Sequence, residues 1–444
     1  MPSLRKATLL HATYYTGVLL EASKFYLQGH ESMDRGLASF QAEWENIRAG
    51  QSWVATHMQD DPIAEELCCH YPNAGFHILG LRLHPRDWIH WLELALGAAR
   101  HLHDQVLESA HLGNLGAAFM MLGDARRAIE LYEQALLIDR DRDSFEDKSA
   151  DLSNLGSAYL ALGETHRAIE FYQQALEINR EVGNRRGESA TLGNLGSAYF
   201  NLGEPHHARE FYEQQLELGR GLGDRHGEAT ALGNLGNVYL DLGELRRAVE
   251  FYEQALVIDL ELGDRRSEGA DLGNLGSAFA DLGKPEIALK YYEQRLAIAR
   301  ELEDRSAEAA ALNNLGRAYS DLGDIHRAIE YYEQSLLIAR EIGDRHLEGI
   351  TLSNLGNAHA ELRETDRTIE CYEQALTITR QTGDRRGESI ACWNLGDQYV
   401  KAGDLERGIS LMQELVDYEQ EIGHPDQDKH AAHLESLLRL MKDA

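Results

Sequence analysis

The chain has 444 residues, 43% of them hydrophobic and only seven of them proline, a composition that suits an ordered, helix-rich protein and argues against disorder. Its 74 acidic against 43 basic side chains give a formal charge of −31, a field that repels phosphate backbones and excludes general binding to nucleic acid or anionic membrane. A basic partner would be attracted instead, less strongly as salt rises.

The first predicted elements are two helices, roughly Leu4–Gln28 and Ser32–Met58. The run from His11 to Tyr15 in the first, with Ala42 to Ile47 and Trp53 in the second, resembles the opening of the helical sensor region of STAND-type (NB-ARC) signalling ATPases. The resemblance implies a sensor role. No GxxxxGK[ST] phosphate loop occurs in these residues, so the ATPase itself is not expected in them. Next, Trp88 to Leu96 aligns with Ala128 to Leu136 at an offset of 40 residues, which predicts a degenerate helix pair over 61–106. Pro72 should break or kink its first helix.

From residue 107 the chain is periodic. The tripeptide Asn-Leu-Gly begins at Asn114, Asn154, Asn194, Asn234, Asn274, Asn314, Asn354 and Asn394, each step 40 residues. Within a unit, Leu112, Leu115, Gly116, Phe119 and Leu122 form one helical stripe, and Ala128, Ile129, Tyr132, Ala135 and Leu136 a second. Glycines such as Gly123 and Gly163 stand between the stripes, where a left-handed cap favours them; Arg363 breaks that rule and predicts a poorly capped turn. Between units, Gly-Asp-Arg as at Gly223, Asp224 and Arg225 ends one helix and N-caps the next. Gln215 and Arg295 replace the alanine found at Ala135, Ala175, Ala255 and Ala375 in the second stripe, which predicts looser packing or snorkelling.

Gly116, Phe119, Ala128, Tyr132 and Ala135 fall at the small, aromatic and small positions of the tetratricopeptide repeat (TPR), and the 40-residue unit resembles the longer variant in kinesin light chain and the Pins/LGN adaptors. The resemblance implies an all-α fold, a right-handed TPR superhelical solenoid of antiparallel helix pairs. The expected organisation is an N-terminal helical segment over 1–60, the degenerate pair over 61–106, eight repeats over 107–424, and a capping helix within 425–444, where residues 428–441 read as helix.

In such solenoids the first helix of each pair lines the concave surface, and that places the asparagine ladder there. An amide side chain donates and accepts, so a ladder can clamp the backbone of an extended peptide. Alternatively, these asparagines bond neighbouring helices and hold the superhelical pitch. The preceding residue is small in seven units (Gly113, Ser153, Gly193, Gly233, Gly273, Asn313, Ser353), which implies close approach of a ligand or of the next helix. Trp393 stands there in the last unit, either as an anchor or plug of the groove or as a cover for the terminal core. Three residues past the asparagine runs a polar row that includes Asn237, Arg317, Asn357 and Asp397. Seven past it the row turns acidic in the second half: Asp241, Asp281, Asp321 and Glu361. That stripe predicts a partner segment carrying Lys or Arg; its bland alternative is a solvated face. The acidic positions of the second helix, such as Glu130 and Glu250, read as a solubilising surface.

No HExxH, GxSxG, GxGxxG or paired CxxC occurs, and the histidines lack metal spacing, so neither catalysis, cofactor nor metal is expected. Cys68, Cys69, Cys371 and Cys392 are too few and too irregular for a disulfide framework and read as core residues. No run of 18 apolar residues and no signal-peptide core is present, which points to the cytoplasm. The function expected is a scaffold or sensor module that binds a peptide or partner protein in its groove. The alternatives are a self-assembling homo-oligomer and the sensor fragment of a STAND-type system whose NTPase lies elsewhere.

Overall fold

The computed structural model describes residues 2–27, 30–142 and 144–443. These form twenty-two α-helices and no strand, grouped into two compact units that divide after Val238. The first unit opens with an antiparallel pair, α1 (Pro2–Leu27) and α2 (His30–His57), followed by α3 (Pro62–Ala74), α4 (Phe76–Arg82) and α5 (Pro85–His101). Gln28, the expected end of the first helix, lies outside the described residues.

Pro72 sits within α3 rather than ending it, and the break falls at Gly75. A side chain at Gly75 would stand 2.7 Å from the terminal methyls of Leu19 and Leu79, so a larger residue there would have to push those leucines aside. The core of this region is aromatic: Trp44 stacks on Trp91 at 6.0 Å, Tyr71 meets Trp91 edge-on, and the Tyr71 hydroxyl donates to the Ala12 carbonyl at 2.9 Å. Cys68 and Cys69 are buried nearby, where burial pushes both thiols up to about 12. His111 is fully buried, and burial drives its imidazole down to about 4.

The repeats follow as helix pairs, an A helix then a B helix. In the first unit these are α6 (Gln105–Met121) with α7 (Ala125–Asp141), α8 (Phe145–Ala161) with α9 (Thr165–Val182), and α10 (Arg185–Asn201) with α11 (Pro205–Leu222). Helix α12 (Arg225–Asp241) leads to α13 (Leu245–Leu262). In the second unit come α14 (Arg265–Asp281) with α15 (Pro285–Glu301), α16 (Arg305–Asp321) with α17 (Ile325–Ile342), α18 (Arg345–Glu361) with α19 (Thr365–Thr382), and α20 (Arg385–Lys401) with α21 (Leu405–Ile422). Helix α22 (Gln427–Asp443) closes the series.

Among the described residues, six of the pairs have a glycine of the A helix (Gly116, Gly156, Gly196, Gly276, Gly316, Gly356) that receives a tyrosine of the B helix, whereas in the last pair Gly396 faces Met412. A Cβ at Gly316 would lie 2.6 Å from the Tyr332 ring, and one at Gly156 equally close to Tyr172. Toward the A–B turn, Tyr159 stacks on Phe171 at 5.3 Å, with the Arg167 guanidinium 4.4 Å above it. The same arrangement recurs as Arg247 over Tyr239 on Phe251, and as Arg327 over Tyr319 on Tyr331. Between pairs, Asp264, Asp344 and Asp384 each accept from the backbone N–H three residues on, at 3.1, 2.9 and 2.8 Å.

Two expectations need correction. Arg363 does not weaken its turn: it adopts the left-handed conformation, φ +59°, and keeps the bonds its glycine counterparts make. Its N–H reaches Ala360 and that of Glu364 reaches His359, as Gly323 reaches Ser320 and Asp324 reaches Tyr319. The cost appears as backbone strain rather than as a lost cap. Nor does Gln215 loosen its junction. It is buried with its amide against Gly193, and Arg295, half-buried, lies against Gly273. At these two positions glycine makes room for the long side chain of the chain's own next helix.

The period hides a third feature. At one junction in each unit two acids meet inside the core. Asp139 receives Ser109 at 2.5 Å and Arg142 at 2.7 Å, and Asp151 faces it. Asp271 faces Asp259 in the same way. Burial, and then the neighbouring carboxylate, raise Asp151 and Asp271 to about 8.

Candidate functional site

Successive A helices touch one another directly, α6 with α8 and α8 with α10 in the first unit, α14 with α16 and α16 with α18 in the second. They therefore form the inner layer of each unit. All eight ladder asparagines are half-buried on it, accessible to a ligand yet partly held. Two have partners across a junction: Asn354 Nδ2 donates to Asn313 Oδ1 at 3.0 Å, and Asn114 Nδ2 to Asn73 Oδ1 at 3.4 Å. Asn313 also accepts from the Thr351 hydroxyl at 3.3 Å.

The polar row one turn along is tied to the packing tyrosines. The Tyr172 hydroxyl lies 3.0 Å from Ser157 Oγ, Tyr212 pairs with Ser197 at 3.0 Å, and Tyr292 with Ser277 at 3.2 Å. Tyr372 donates to Asn357 Oδ1 at 2.6 Å. These tyrosines cross the pair and place a hydroxyl beside the inner row. The sequence pattern places Tyr132 at the aromatic position of the repeat and gives its hydroxyl no role. The available signal was that seven consecutive units, from Tyr132 to Tyr372, carry tyrosine and never phenylalanine, and a largely buried hydroxyl needs a partner.

In the second unit Asp241, Asp281, Asp321 and Glu361 are all exposed. Arg317 Nη2 lies 3.8 Å from the Asp281 carboxylate and 3.5 Å from the Tyr292 hydroxyl. Burial, together with the charge of Asp281, raises the Asp321 carboxyl above its ordinary value against the opposing pull of Arg317. A cavity of about 560 Å³ opens here, and it brings together Arg317, Asp321, Asn354, Asn357, Asn394 and Asp397, with Glu361 also in its wall. Such a cavity presents amide donors and acceptors beside carboxylates and two cations, Arg317 and Lys401, the second already paired with Asp397 at 2.5 Å. The set is able to bind a peptide backbone and, through Asp321 and Glu361, a basic side chain.

Asp241 and Asp281 do not line that cavity, nor does Trp393, which packs 4.6 Å from the His430 ring of α22. Asn114, Asn154, Asn194, Asn234 and Asn237 belong to the first unit, where the acidic row is replaced by Met121, Ala161 and Asn201. Asn274 and Asn314 occupy the inner layer of the second unit on α14 and α16. Among the described residues no group of three or more His, Cys, Asp or Glu is placed to hold a metal ion, and no helix is long and apolar enough to cross a membrane.

A tandem array of antiparallel helix pairs with a glycine–tyrosine lock recurring from Gly116 and Tyr132 to Gly356 and Tyr372 defines a TPR solenoid. The tetratricopeptide repeat family matches residues 106–181, 148–220, 187–261, 227–301, 269–341 and 307–381, and the chain belongs to that family. Among solved structures, the chain resembles the STAND protein with a tetratricopeptide repeat sensor, PH0952 from Pyrococcus horikoshii. The TM-score is 0.59 at 14% identity, over 96% of this chain and 65% of that one. It also resembles the apo quorum sensor NprR from B. thuringiensis, with a TM-score of 0.56 at 15% identity, over 76% of this chain and 95% of that one. Aspartyl phosphate phosphatase F from Bacillus subtilis gives 0.55 at 14% identity, over 84% and 94%. Comparison with curated proteins finds no match.

Proposed function

We propose that the chain is a non-catalytic recognition module, a sensor or scaffold that holds an extended peptide carrying Lys or Arg on the inner layer of its second unit. One observation carries this reading: the 560 Å³ cavity where Asn354, Asn357 and Asn394 converge with Asp321, Glu361 and Asp397. Ladder amides grip the peptide backbone, and the carboxylates of Asp321 and Glu361 select a basic side chain, Asp397 being held by Lys401. Of the repeats over 107–424, those of the second unit form the binding array, and the segments 1–60, 61–106 and 425–444 flank the repeats. Support of a more general kind comes from the fold neighbours, one a quorum sensor and one a signal-transduction ATPase with a repeat sensor. The test is a peptide array of Arg- and Lys-containing sequences against the full chain, followed by fluorescence anisotropy of the best binder. The double variant Asn354→Ala, Asn394→Ala should weaken binding about tenfold or more, two hydrogen bonds at ~1 kcal/mol each. Unchanged affinity in a folded double variant removes the groove from recognition.

A further inference from the structure

The last junction is built differently from the others. A link of two residues, Gly383 and Asp384, separates α19 from α20, whereas four residues, Gly423 to Asp426, separate α21 from α22. The register of the closing helix follows that insertion. Its buried Leu434 and Leu437 stand two places later than Cys392 and Leu395 do in the preceding unit. Beneath the shifted helix lies a cavity of about 580 Å³ walled by Trp393, Leu415, Tyr418 and Ile422, within the range of roughly 300–1,000 Å³ that small-molecule sites occupy.

The charges around this cavity are unequal in their commitments. Glu419, its one carboxylate, is buried and receives His430 Nδ1 at 2.8 Å. Arg385 is bound by Glu421 at 2.6 and 3.0 Å and lies over the Tyr418 ring. Arg386, exposed at the rim, makes no ion pair among the described residues. The indole of Trp393 and the phenol of Tyr418 supply flat apolar walls where other units have a small residue at the tryptophan position.

We propose that this cavity is a second binding site, distinct from the groove, for a small amphipathic anion. Its ligand has a planar apolar body between Trp393 and Tyr418 and a carboxylate or sulfonate that pairs with Arg386. An apolar body gains from leaving water against those walls, and Arg supplies the planar fork that an anionic oxygen pair matches.

The test uses the full chain and two probes that share a ring system, anilinonaphthalene sulfonate and the uncharged phenylnaphthylamine. Both should bind saturably at one site and quench tryptophan emission. Arg386→Gln should weaken the sulfonate about tenfold, the loss of one charge-assisted contact, and leave the uncharged probe unchanged. Trp393→Ala should abolish both. Should that variant lose helix content, the exposed Arg386→Gln still decides the matter. The Asn354→Ala, Asn394→Ala variant should bind both probes as the parent does. Absence of saturable binding, or equal sulfonate affinity with and without Arg386, overturns the proposal.

Discussion

Seven residues past the ladder asparagine, the first unit carries Met121, Ala161 and Asn201, while the second carries Asp241, Asp281, Asp321 and Glu361 before Lys401 ends the row. The backbone around the two sets is the same. Gly156 receives Tyr172 as Gly316 receives Tyr332, and Gly163 and Gly323 end their helices in the same left-handed turn. Packing residues repeat while inner-face residues vary. The contrast teaches that this chain specifies its fold and its recognition chemistry at separate positions, so one can change without disturbing the other.

The largest effects should appear where the two units are alike. Tyr172→Ala and Tyr332→Ala each empty a buried site and should destabilise the chain by about 3–5 kcal/mol, equally in both units, as read from denaturant midpoints. A cost confined to one unit would break the equivalence.

The acid pairs sharpen it further, since each unit has one. Asp151 and Asp271 sit at about 8 in the folded chain against 3.8 for the free group. The folded state therefore binds more protons between those values. The contribution of these two acids to stability should be full below about pH 4 and be lost as pH rises through 8. Asp151→Asn or Asp271→Asn should flatten that decline and stabilise the chain by about 1–3 kcal/mol at pH 8, measured as melting temperature against pH. His111 works oppositely and in the first unit alone. Its folded value of about 4 lies below the ordinary 6.5, so its contribution is present above 6.5 and is lost as pH falls through 4.

Where the units differ, binding should respond and stability should not. Asp281→Asn with Asp321→Asn and Glu361→Gln should lower affinity for a basic peptide by about tenfold at low salt and reduce the salt dependence. Met121→Gln with Ala161→Gln should leave binding unchanged, which titrations at two ionic strengths would show. The smallest change expected is Arg363→Gly, which relieves a left-handed residue and should raise stability by about 1 kcal/mol.

Much of this was legible from the residues in order. A 40-residue period admits one stacking geometry, so the helix pairs and the glycine-capped turns followed from spacing, while the placement of the asparagine ladder followed from the resemblance to tetratricopeptide repeats. Less legible was everything that depends on which side chain meets which across a junction. Nothing in the spacing of Gln215 and Gly193 says that one fills the notch left by the other, or that Asp139 and Asp151, twelve residues apart, face each other inside the core.

Periodicity is a local property, carried by backbone preference and the apolar stripe, and the sequence by itself determined the pairs, their caps and the family. Tertiary structure alone decided the break at Gly75, the tyrosine hydroxyls beside the inner row, the cavity around Asn354 and Asn394, and the turning of Trp393 toward the closing helix. The physical reason is close packing. A side chain's neighbours are fixed by shape and volume across helices that are distant in the chain, and no one-dimensional pattern carries that information.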